Sequence, residues 1–339
     1  MNIRHILLKD VVSFGIGGEA DIVILSKEED IVEAYEYAKT NNLKLHILGG
    51  GTNTVFKDGH SNTLVAKMEM NGQTIDDSLQ KTENTEDVFI TAMAGEDWDG
   101  LVKYAVENNL WGIENLSYIP GTVGASPIQN IGAYGAELSN VVFSVRAYDS
   151  VRNEFVNMKK EECDFGYRDS IFKKNPNRYC IVSVTFRLLK NGKPVLFYKP
   201  LDKLKDKKDL TLKDIREEII KIRSSKLPDH KEYPNAGSFF KNPILSRVES
   251  EELCKRYLTA PIFKVSNGYK IAAAWLIEHV ASMKGVRSGN VGTWPAQPLV
   301  IVNYGNATFK ELEDFSNTIM KTIENNAGIR LEREVNFVE

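Results

Sequence analysis

Short apolar runs flank one polar, helix-forming stretch in the first 70 residues. Ala20–Leu25 is rich in β-branched residues and predicts a strand. Ser26 and Glu29 have the spacing of a capping box, in which each side chain satisfies a free backbone donor at the start of a helix. We expect this helix to end near Asn41–Asn42, before a strand at Leu43–Leu48. This part of the chain is therefore predicted to be β, α, β.

Between about residues 63 and 188, apolar residues recur every second position in the predicted strands and at helical spacing in one predicted helix. Strands are predicted around Thr63–Met68 and Asp87–Ala94. A helix follows, because apolar residues recur at the spacing of a core-facing helix: Trp98, Leu101, Val102, Ala105 and Val106. Two later strands place alternate residues on one face: Val141, Phe143, Val145 and Ala147 in the first, and Cys180, Val182, Val184, Phe186 and Leu188 in the second.

Helical spacing dominates beyond about residue 200. Thr211 and Asp214 open a predicted helix whose inward positions are Leu212, Ile215, Ile219 and Ile222. A second helix is predicted over Lys270–Ala281. A third begins at a capping box of Thr308 and Glu311 and stops at Gly328, with these residues inward: Phe309, Leu312, Phe315, Ile319 and Ile323.

Two short segments complete the pattern. Pro298–Val302 is predicted to be a strand between the last two helices, and Leu331–Val335 a short strand with Glu332 and Glu334 on one face. The chain is therefore predicted to be α+β, with its main boundary near 195–205.

Composition narrows the classes of function. The 339 residues carry a formal net charge of −3, which argues against nucleic acid as the main partner. The Lys-dense stretch 199–213 is interleaved with acids and is interpreted as a solvated loop. The three cysteines lie far apart, which fits a reducing cytoplasm, and the five histidines are too scattered to predict a metal site. Neither a signal peptide nor a membrane span is expected.

Two glycine-rich segments precede residue 60. Gly15–Ala20 fits a dinucleotide fingerprint loosely, but that fingerprint needs a helix directly after it, and a strand is predicted there instead. Gly49–Asn53 follows a strand, and successive backbone N–H groups in such a loop can form an anion nest for a diphosphate. A plain tight turn is the equally weighted alternative.

The stretch from Ile119 to Gly135 is dense in Gly and Pro, so no regular element can run through it. Loops that must approach a ligand closely use glycine in this way, and we favour that interpretation over a purely structural loop.

Three further segments carry polar chemistry. Arg168, between Tyr167 and Asp169, can offer a planar fork to a carboxylate, although an ordinary surface Arg–Asp pair is the simpler interpretation. Ser238 lies in Asn235–Pro243 with no His or Asp nearby in sequence, so no catalytic triad is claimed and a turn is the alternative. Taken alone, the acids of Leu331–Val335 fit a solvated edge.

Taken together, these segments resemble one family, the UDP-N-acetylenolpyruvoylglucosamine reductases (UDP-N-acetylmuramate dehydrogenases), over nearly the whole chain. The markers occur in family order: Ser13-Phe14 to Ala20-Asp21, Gly49–Asn53, Ile119–Gly124, Ile128–Gly135, Gly166–Ser170, Lys226–Pro228, Asn235–Pro243 and Leu331–Val335. The segment Pro194–Tyr198 is similar to that of the longer subtype, in which a Tyr closes over the substrate.

The resemblance implies an α+β fold with a two-part FAD-binding domain of the vanillyl-alcohol-oxidase (PCMH) type, followed by an α+β domain that binds the UDP-sugar. The implied divisions are 1–70, 71–200 and 201–339, with the tail at 330–339 expected to return to the first. FAD would be held non-covalently by these residues: Gly49, Gly50, Gly51, Thr52, Asn53, Ile119, Pro120, Gly121, Thr122, Gly124, Ala125, Gln129, Asn130, Gly132 and Ala133.

The resemblance also implies the chemistry. Arg168, Ser238 and Glu334 match the family's catalytic positions, and Tyr198, Lys226 and Asn242 match positions that contact substrate. NADPH would be the hydride donor, and UDP-N-acetylglucosamine enolpyruvate would be reduced to UDP-N-acetylmuramate for peptidoglycan. Ser238 would donate the proton, while Arg168 and Glu334 stabilise the enolate.

A cytoplasmic monomer without a metal is expected. Two other classes of protein are alternatives: a different flavin oxidase of the same fold, and a UDP-sugar-binding protein without catalysis. The match departs at Arg333, where Pro is frequent, and Phe263 aligns only loosely with a substrate-contacting Tyr.

Overall fold

The computed structural model describes residues 1–75 and 87–339. Contacts divide the chain into two compact units. The first unit contains residues 1–6, 20–50 and 62–223, and the second contains 7–19, 51–61 and 224–339. The three-part division implied by the resemblance stays a prediction.

A four-stranded sheet with order β1-β2-β5-β3 begins the fold. Its strands are β1 (Ile3–Leu7), β2 (Glu19–Leu25), β3 (Lys44–Leu48) and β5 (His60–Met68). Helix α1 (Glu28–Thr40) precedes β3, which runs parallel to β5. Because β2 directly follows the glycines at 15–18, the rejection of a dinucleotide fingerprint there is confirmed.

The predicted capping box of α1 is wrong by one residue. The carboxylate of Asp30, rather than that of Glu29, accepts hydrogen bonds from the backbone N–H groups of Ser26 (2.8 Å) and Lys27 (3.1 Å). Lys27 is therefore the N-cap, and Asp30 occupies the third helical position. Several acids begin this helix, so spacing alone could not choose between them.

A five-stranded antiparallel sheet forms the core of the first unit, in the order β11-β10-β12-β7-β6. Its strands are β6 (Gln73–Ile75), β7 (Asp87–Met93), β10 (Val142–Asp149), β11 (Glu154–Lys159) and β12 (Tyr179–Leu189). The other elements of this unit are α2 (Trp98–Glu107), the hairpin β8 (Gly132–Ala133) and β9 (Ala136–Glu137), α3 (Ile171–Lys174) and most of α4 (Leu212–Lys226). The predicted inward stripe of α2 is buried throughout.

The predicted face of β10 breaks at Phe143. A shift in the pairing with β12 between Val142 and Ser144 moves Phe143 out of the alternation, and its side chain is exposed. An extra residue in one strand of an antiparallel pair has this effect, because it reverses the side on which the next residue points. Val145 and Ala147 remain buried as predicted.

The second unit combines small sheets with a long helix. One sheet has the order β13-β19-β18-β17 and another β14-β16-β15, while β20 pairs in parallel with β4. The strands are β4 (Thr54–Phe56), β13 (Asn235–Ser238), β14 (Ile244–Leu245), β15 (Ile262–Val265), β16 (Gly268–Ile271), β17 (Arg287–Ser288), β18 (Val291–Trp294), β19 (Gln297–Asn303) and β20 (Asn336–Val338). The helices are α5 (Arg247–Arg256), α6 (Ala273–Trp275) and α7 (Phe309–Ala327).

Helix α7 confirms its prediction in full. Thr308 and Glu311 form the capping box, and the helix ends at Gly328, whose φ is +71°. The predicted helix at Lys270–Ala281 is partly wrong, because Lys270 pairs with both β14 and β15 as part of β16. Helix α6 begins only at Ala273 and continues as a π-helix over Leu276–Val280. Strand pairing here outweighs local helix preference.

Candidate active site

The loop Gly49–Asn53 is divided between the two units, after Gly50. In the first unit, the backbone at Gly49 lies close to the Gly/Pro-rich segment (Ile119–Gly135). A Cβ at Gly49 would lie 2.6 Å from Thr122 Oγ1 and 3.3 Å from the Cβ of Ala125. Lys67 Nζ donates a hydrogen bond to the Gly49 carbonyl, and burial lowers the pKa of this lysine. A half-buried cation beside a glycine loop favours an anionic ligand.

In the second unit, the rest of the loop is tied to the carboxyl-terminal segment. Gly51 has a φ of +67°, and a Cβ there would lie 2.3 Å from the Val11 carbonyl oxygen, so only glycine fits. Asn53 Nδ2 donates to the carbonyl of Glu334 at 3.2 Å, and the Asn53 carbonyl accepts from Asn336 N at 3.0 Å. The structure thus connects two predicted site residues, Asn53 and Glu334.

The Gly/Pro-rich segment folds against the end of β7. Val123 N donates to the Glu96 carbonyl and Gly124 N to the Ala94 carbonyl, both at 2.9 Å. A Cβ at Gly124 would lie 2.5 Å from that of Ala94, which explains the glycine. Backbone hydrogen bonds therefore hold this part of the segment, and Gly121 (φ +122°) lies just before the residues that form them.

Thr122 provides a test of whether these residues fit the diphosphate of FAD. Its Oγ1 is buried and has no hydrogen-bond partner in the described part of the protein. A buried hydroxyl without a partner is costly, and a ligand that supplies an acceptor removes that cost. Because Thr122 faces Gly49, whose missing side chain leaves the backbone accessible, the site fits a phosphate oxygen at this position.

Arg168 occupies a tight turn whose ends, Gly166 and Asp169, exchange backbone hydrogen bonds. Its φ is +52°, a left-handed conformation that is unusual for arginine. Nη2 donates to the Gly132 carbonyl at 2.7 Å, and the guanidinium lies over the Tyr167 ring at 5.5 Å. Asp169 forms an ion pair with Lys174, at 3.4 Å.

Two buried side chains fasten this turn to the Gly/Pro-rich segment. Asn130 Nδ2 donates to the Gly166 carbonyl at 3.0 Å, and Ser170 Oγ donates to the Ile128 carbonyl at 2.7 Å. Both side chains are nearly inaccessible to solvent. The structure therefore brings Arg168, a predicted catalytic residue, together with Asn130 and Gly132, which the resemblance assigned to FAD binding.

Ser238 and Glu334 lie on adjacent backbone segments of the second unit. Ser238 ends β13 with an exposed side chain, followed by the buried Phe239 and Phe240. Glu334 N donates to the Phe239 carbonyl at 2.9 Å, and Arg333 forms an isolated bridge with Phe240. The structure thus places the proposed acid and the proposed carboxylate of this unit on paired segments.

The interpretation of Leu331–Val335 as a strand with a solvated acidic edge is wrong. Only the isolated bridge at Arg333 is formed, and the two acids differ: Glu332 is exposed and pairs with Lys241, while Glu334 is 9% exposed. A one-residue bridge does not impose the regular alternation of a strand, so sequence spacing did not reveal which acid is buried.

Arg333, where the family pattern often has Pro, is firmly held. Its guanidinium donates to Ser316 Oγ (3.0 Å from Nη2) and to Asn317 Oδ1 (2.6 Å), and it lies over the Phe337 ring at 4.7 Å. Side-chain anchoring to α7 thus restrains the backbone beside Glu334, as a proline ring would do through φ.

The remaining predicted residues have varied surroundings. The Tyr198 side chain is 46% exposed and meets the Tyr134 ring edge-on, with centroids 5.2 Å apart. Lys226 is the exposed last residue of α4. Asn242 Oδ1 accepts a hydrogen bond from Ala273 N at 2.8 Å, which caps α6, and Phe263 is exposed on β15.

Sequence reasoning did not single out Lys67 or Asn115, both of which contact predicted site segments. Lys67 interrupts the buried run Thr63–Met68 at the end of β5, and a lone lysine in such a run was an available signal. Asn115 lies next to a second buried polar residue, Glu114, just before the Gly/Pro-rich segment.

Comparison with known proteins finds two family models that match this chain. A family model described as the UDP-N-acetylenolpyruvoylglucosamine reductase C-terminal domain matches residues 229–338, and one described as an FAD binding domain matches residues 20–154. The chain is similar to the UDP-N-acetylenolpyruvoylglucosamine reductase of Aliivibrio fischeri, with 39% identity over 97% of this chain and 93% of the relative. That of Flavobacterium johnsoniae is also 39% identical, over 98% of each chain.

Among solved structures, UDP-N-acetylenolpyruvylglucosamine reductase from Thermus caldophilus matches all of both chains, with a TM-score of 0.69 and 22% identity. This likeness supports the fold, and with the FAD binding domain it confirms the predicted α+β class. No helix within residues 1–75 and 87–339 combines the length and apolar character needed to cross a bilayer. The near-complete coverage of relatives at this identity shows that the chain belongs to the UDP-N-acetylenolpyruvoylglucosamine reductase family of flavin oxidoreductases.

Proposed function

We propose that this chain reduces UDP-N-acetylglucosamine enolpyruvate to UDP-N-acetylmuramate, a step of peptidoglycan precursor synthesis, with NADPH as hydride donor and non-covalently bound FAD. The observation that carries this proposal is the buried hydroxyl of Thr122, which faces Gly49 and has no partner among residues 1–75 and 87–339. It fits a diphosphate, and the residues of both stretches match the family's cofactor segments. When bound, FAD would supply two-electron transfer between NADPH and the enolpyruvyl sugar.

The protein's own residues would manage charge and the proton. Arg168 presents a guanidinium that Gly132 and Tyr167 hold in place, and we propose that it binds the substrate carboxylate as negative charge develops on the adjacent carbon. We propose that Glu334, buried beside the Phe239 backbone, stabilises the enolate, the role that the resemblance implies. Ser238, which is exposed at the end of β13, would donate the proton to that carbon.

We propose that Tyr198, Lys226 and Asn242 contact the UDP-sugar, and that the protein acts as a cytoplasmic monomer. The three cysteines are free thiols, which supports a reducing compartment. A yellow preparation whose flavin absorbance bleaches with NADPH, and returns on addition of the enolpyruvyl sugar under anaerobic conditions, tests the whole proposal. Recovery that needs oxygen instead would indicate a flavin oxidase, and a colourless protein would indicate a binding protein.

Thr122→Val tests the cofactor cradle. Valine has nearly the same shape but no hydroxyl, so the variant should bind FAD about 10- to 100-fold more weakly, the loss expected for a hydrogen bond to a charged acceptor. The stability of the FAD-free protein should not fall, because the hydroxyl has no partner to lose in the described part of the chain. Fluorescence titration of FAD-free protein measures the affinity.

Thr63→Val is the matched control for that experiment. Thr63 also carries a buried hydroxyl without a partner in the described residues, but it lies on β5 and is not a predicted FAD contact. FAD affinity should stay at the parental value in this variant. Equal affinities in both variants would remove Thr122 from the cofactor site.

Tyr198→Phe tests the substrate grip. Loss of the phenol hydroxyl should raise the KM for the UDP-sugar about 10- to 100-fold, the effect of one hydrogen bond to a charged group. Bleaching of the flavin by NADPH should keep its normal rate, and stopped-flow absorbance separates the two half-reactions. Equal slowing of both would count against the assignment.

A further inference from the structure

A buried asparagine joins the chain segment before Tyr198 to the turn at Tyr134. Asn115 is 1% exposed, and its Nδ2 donates to the carbonyl of Val195 and to the carbonyl of Tyr134, both at 2.8 Å. Since both partners are carbonyl acceptors, only the NH2 end of the amide can face them, which sets the orientation of the side chain.

Two ring contacts join the same stretches nearer the surface. Phe197 lies so close to Gly135 that a Cβ there would be 2.6 Å from the ring, and the Tyr198 ring meets that of Tyr134. The side chains of Phe197 and Tyr198 are nevertheless 72% and 46% exposed. The hydrogen bonds from Asn115 are therefore the buried part of this junction, where loss of a donor leaves carbonyls unsatisfied.

The chain segment before Tyr198 lies beside a cavity. Asn115, Trp111, Gly192, Lys193 and Val195 are among the residues that line a space of about 70 Å³, and Asn115 Oδ1 has no partner among the described residues. Leu196 packs against the hydrophobic cluster that contains Leu201 and Leu204, and beside the cavity the discrete hydrogen bonds from Asn115 add to this packing in positioning the segment.

We propose that Asn115 is a positioning residue for Tyr198. Its one amide donates to the carbonyls of Val195 and Tyr134. It thus fixes the segment Pro194–Tyr198 against the turn at Tyr134, near the end of the Gly/Pro-rich segment. It thereby sets the affinity for the UDP-sugar without touching it. The role of Tyr198 in this statement rests on the proposed function, whereas the anchoring of the segment does not.

Asn115→Asp tests this proposal at constant side-chain volume. The carboxylate has no donors and faces two carbonyls, so the segment should be released. The KM for the UDP-sugar should rise about 10- to 100-fold, the effect of losing two hydrogen bonds. The rate of flavin bleaching by NADPH and the kcat at saturating sugar should stay within about twofold of the parent, since a positioning residue for substrate acts through binding.

Chymotrypsin gives a readout that needs no activity. Cleavage after Phe197 and Tyr198 should be faster in Asn115→Asp, because a released backbone enters the protease more readily. Asn115→Leu, which removes the donors without burying a charge, should change both readouts in the same direction. Asn175→Asp is the matched control: Asn175 Nδ2 donates to the Ile171 carbonyl one helical turn away, which is local to α3, and both readouts should stay parental.

The outcomes separate the two proposals. Faster cleavage without any reductase activity in the parent would support the anchor and reject the proposed function. A parental cleavage rate and a parental KM in folded Asn115 variants would overturn the anchor and leave the function standing. Failure of both Asn115 variants to fold would also overturn it, because Asn115 would then be needed by the whole unit rather than by this segment.

Discussion

Ser238→Ala should slow reduction of the enolpyruvyl sugar by about 10²–10⁴-fold, the usual contribution of a general acid. NADPH should still bleach the bound flavin at close to the parental rate, because that step needs no proton from Ser238. If Ser238 were only the end of a strand, the same change would cost about 1 kcal/mol of stability and little rate. Single-turnover absorbance of the flavin, first with NADPH and then with the sugar, distinguishes the two cases.

Two further variants sharpen this test. Ser238→Cys should recover part of the rate, since a thiol can also give up a proton. Ser246→Ala removes the N-cap of α5, where Ser246 Oγ accepts from Glu249 N, and should cost about 1 kcal/mol of stability without slowing the chemistry. If the reduced flavin of Ser238→Ala is oxidised by the sugar as fast as that of the parent, Ser238 is not the general acid.

Arg168→Lys should lower kcat for sugar reduction by about 10²–10³-fold, the effect of losing one preorganised donor to a developing negative charge. Lysine keeps the charge but lacks the planar guanidinium, whose several N–H groups can donate to the Gly132 carbonyl and to a carboxylate at the same time. The left-handed backbone at this position stays as it is, so the variant changes the side chain and not the turn.

Arg178→Lys is the control for side-chain chemistry in the same unit. Arg178 forms a two-point ion pair with Asp149 (2.8 and 3.0 Å), and its replacement should leave both half-reactions unchanged. Steady-state kinetics at saturating sugar measures kcat for both variants. A parental kcat in Arg168→Lys would show that the positive charge alone suffices and that the planar geometry of the guanidinium has no role.

Local signals predicted the elements of this protein where one feature dominated. Helix α7 has a clear apolar stripe, a capping box and a terminal glycine, and all three are confirmed. Prediction was wrong where partners distant in sequence decide the outcome. Lys270 joins a sheet because β14 and β15 lie beside it, and Phe143 turns outward because the register with β12 shifts.

The residues of the candidate site also differ in how far the local sequence predicted them. The composition of the Gly/Pro-rich segment indicated a shaped loop, since glycine density reports close backbone approach directly. The roles of Arg168 and Glu334 came from the family resemblance, because an arginine in a turn and an acid near a chain end have many ordinary uses. Asn115 could not be found from sequence, since its importance depends on two carbonyls 19 and 80 residues away.

The positive φ angles of Tyr118, Asn130, Tyr134 and Arg168 have a consequence for how this protein can be stabilised. Each left-handed non-glycine residue costs on the order of 1 kcal/mol or more, and glycine would relieve it. Arg168→Gly is thus a substitution that relaxes the backbone while removing the guanidinium. A screen for thermal stability alone would not register the loss of that guanidinium from the site, so engineering for robustness should exclude Arg168 at the outset.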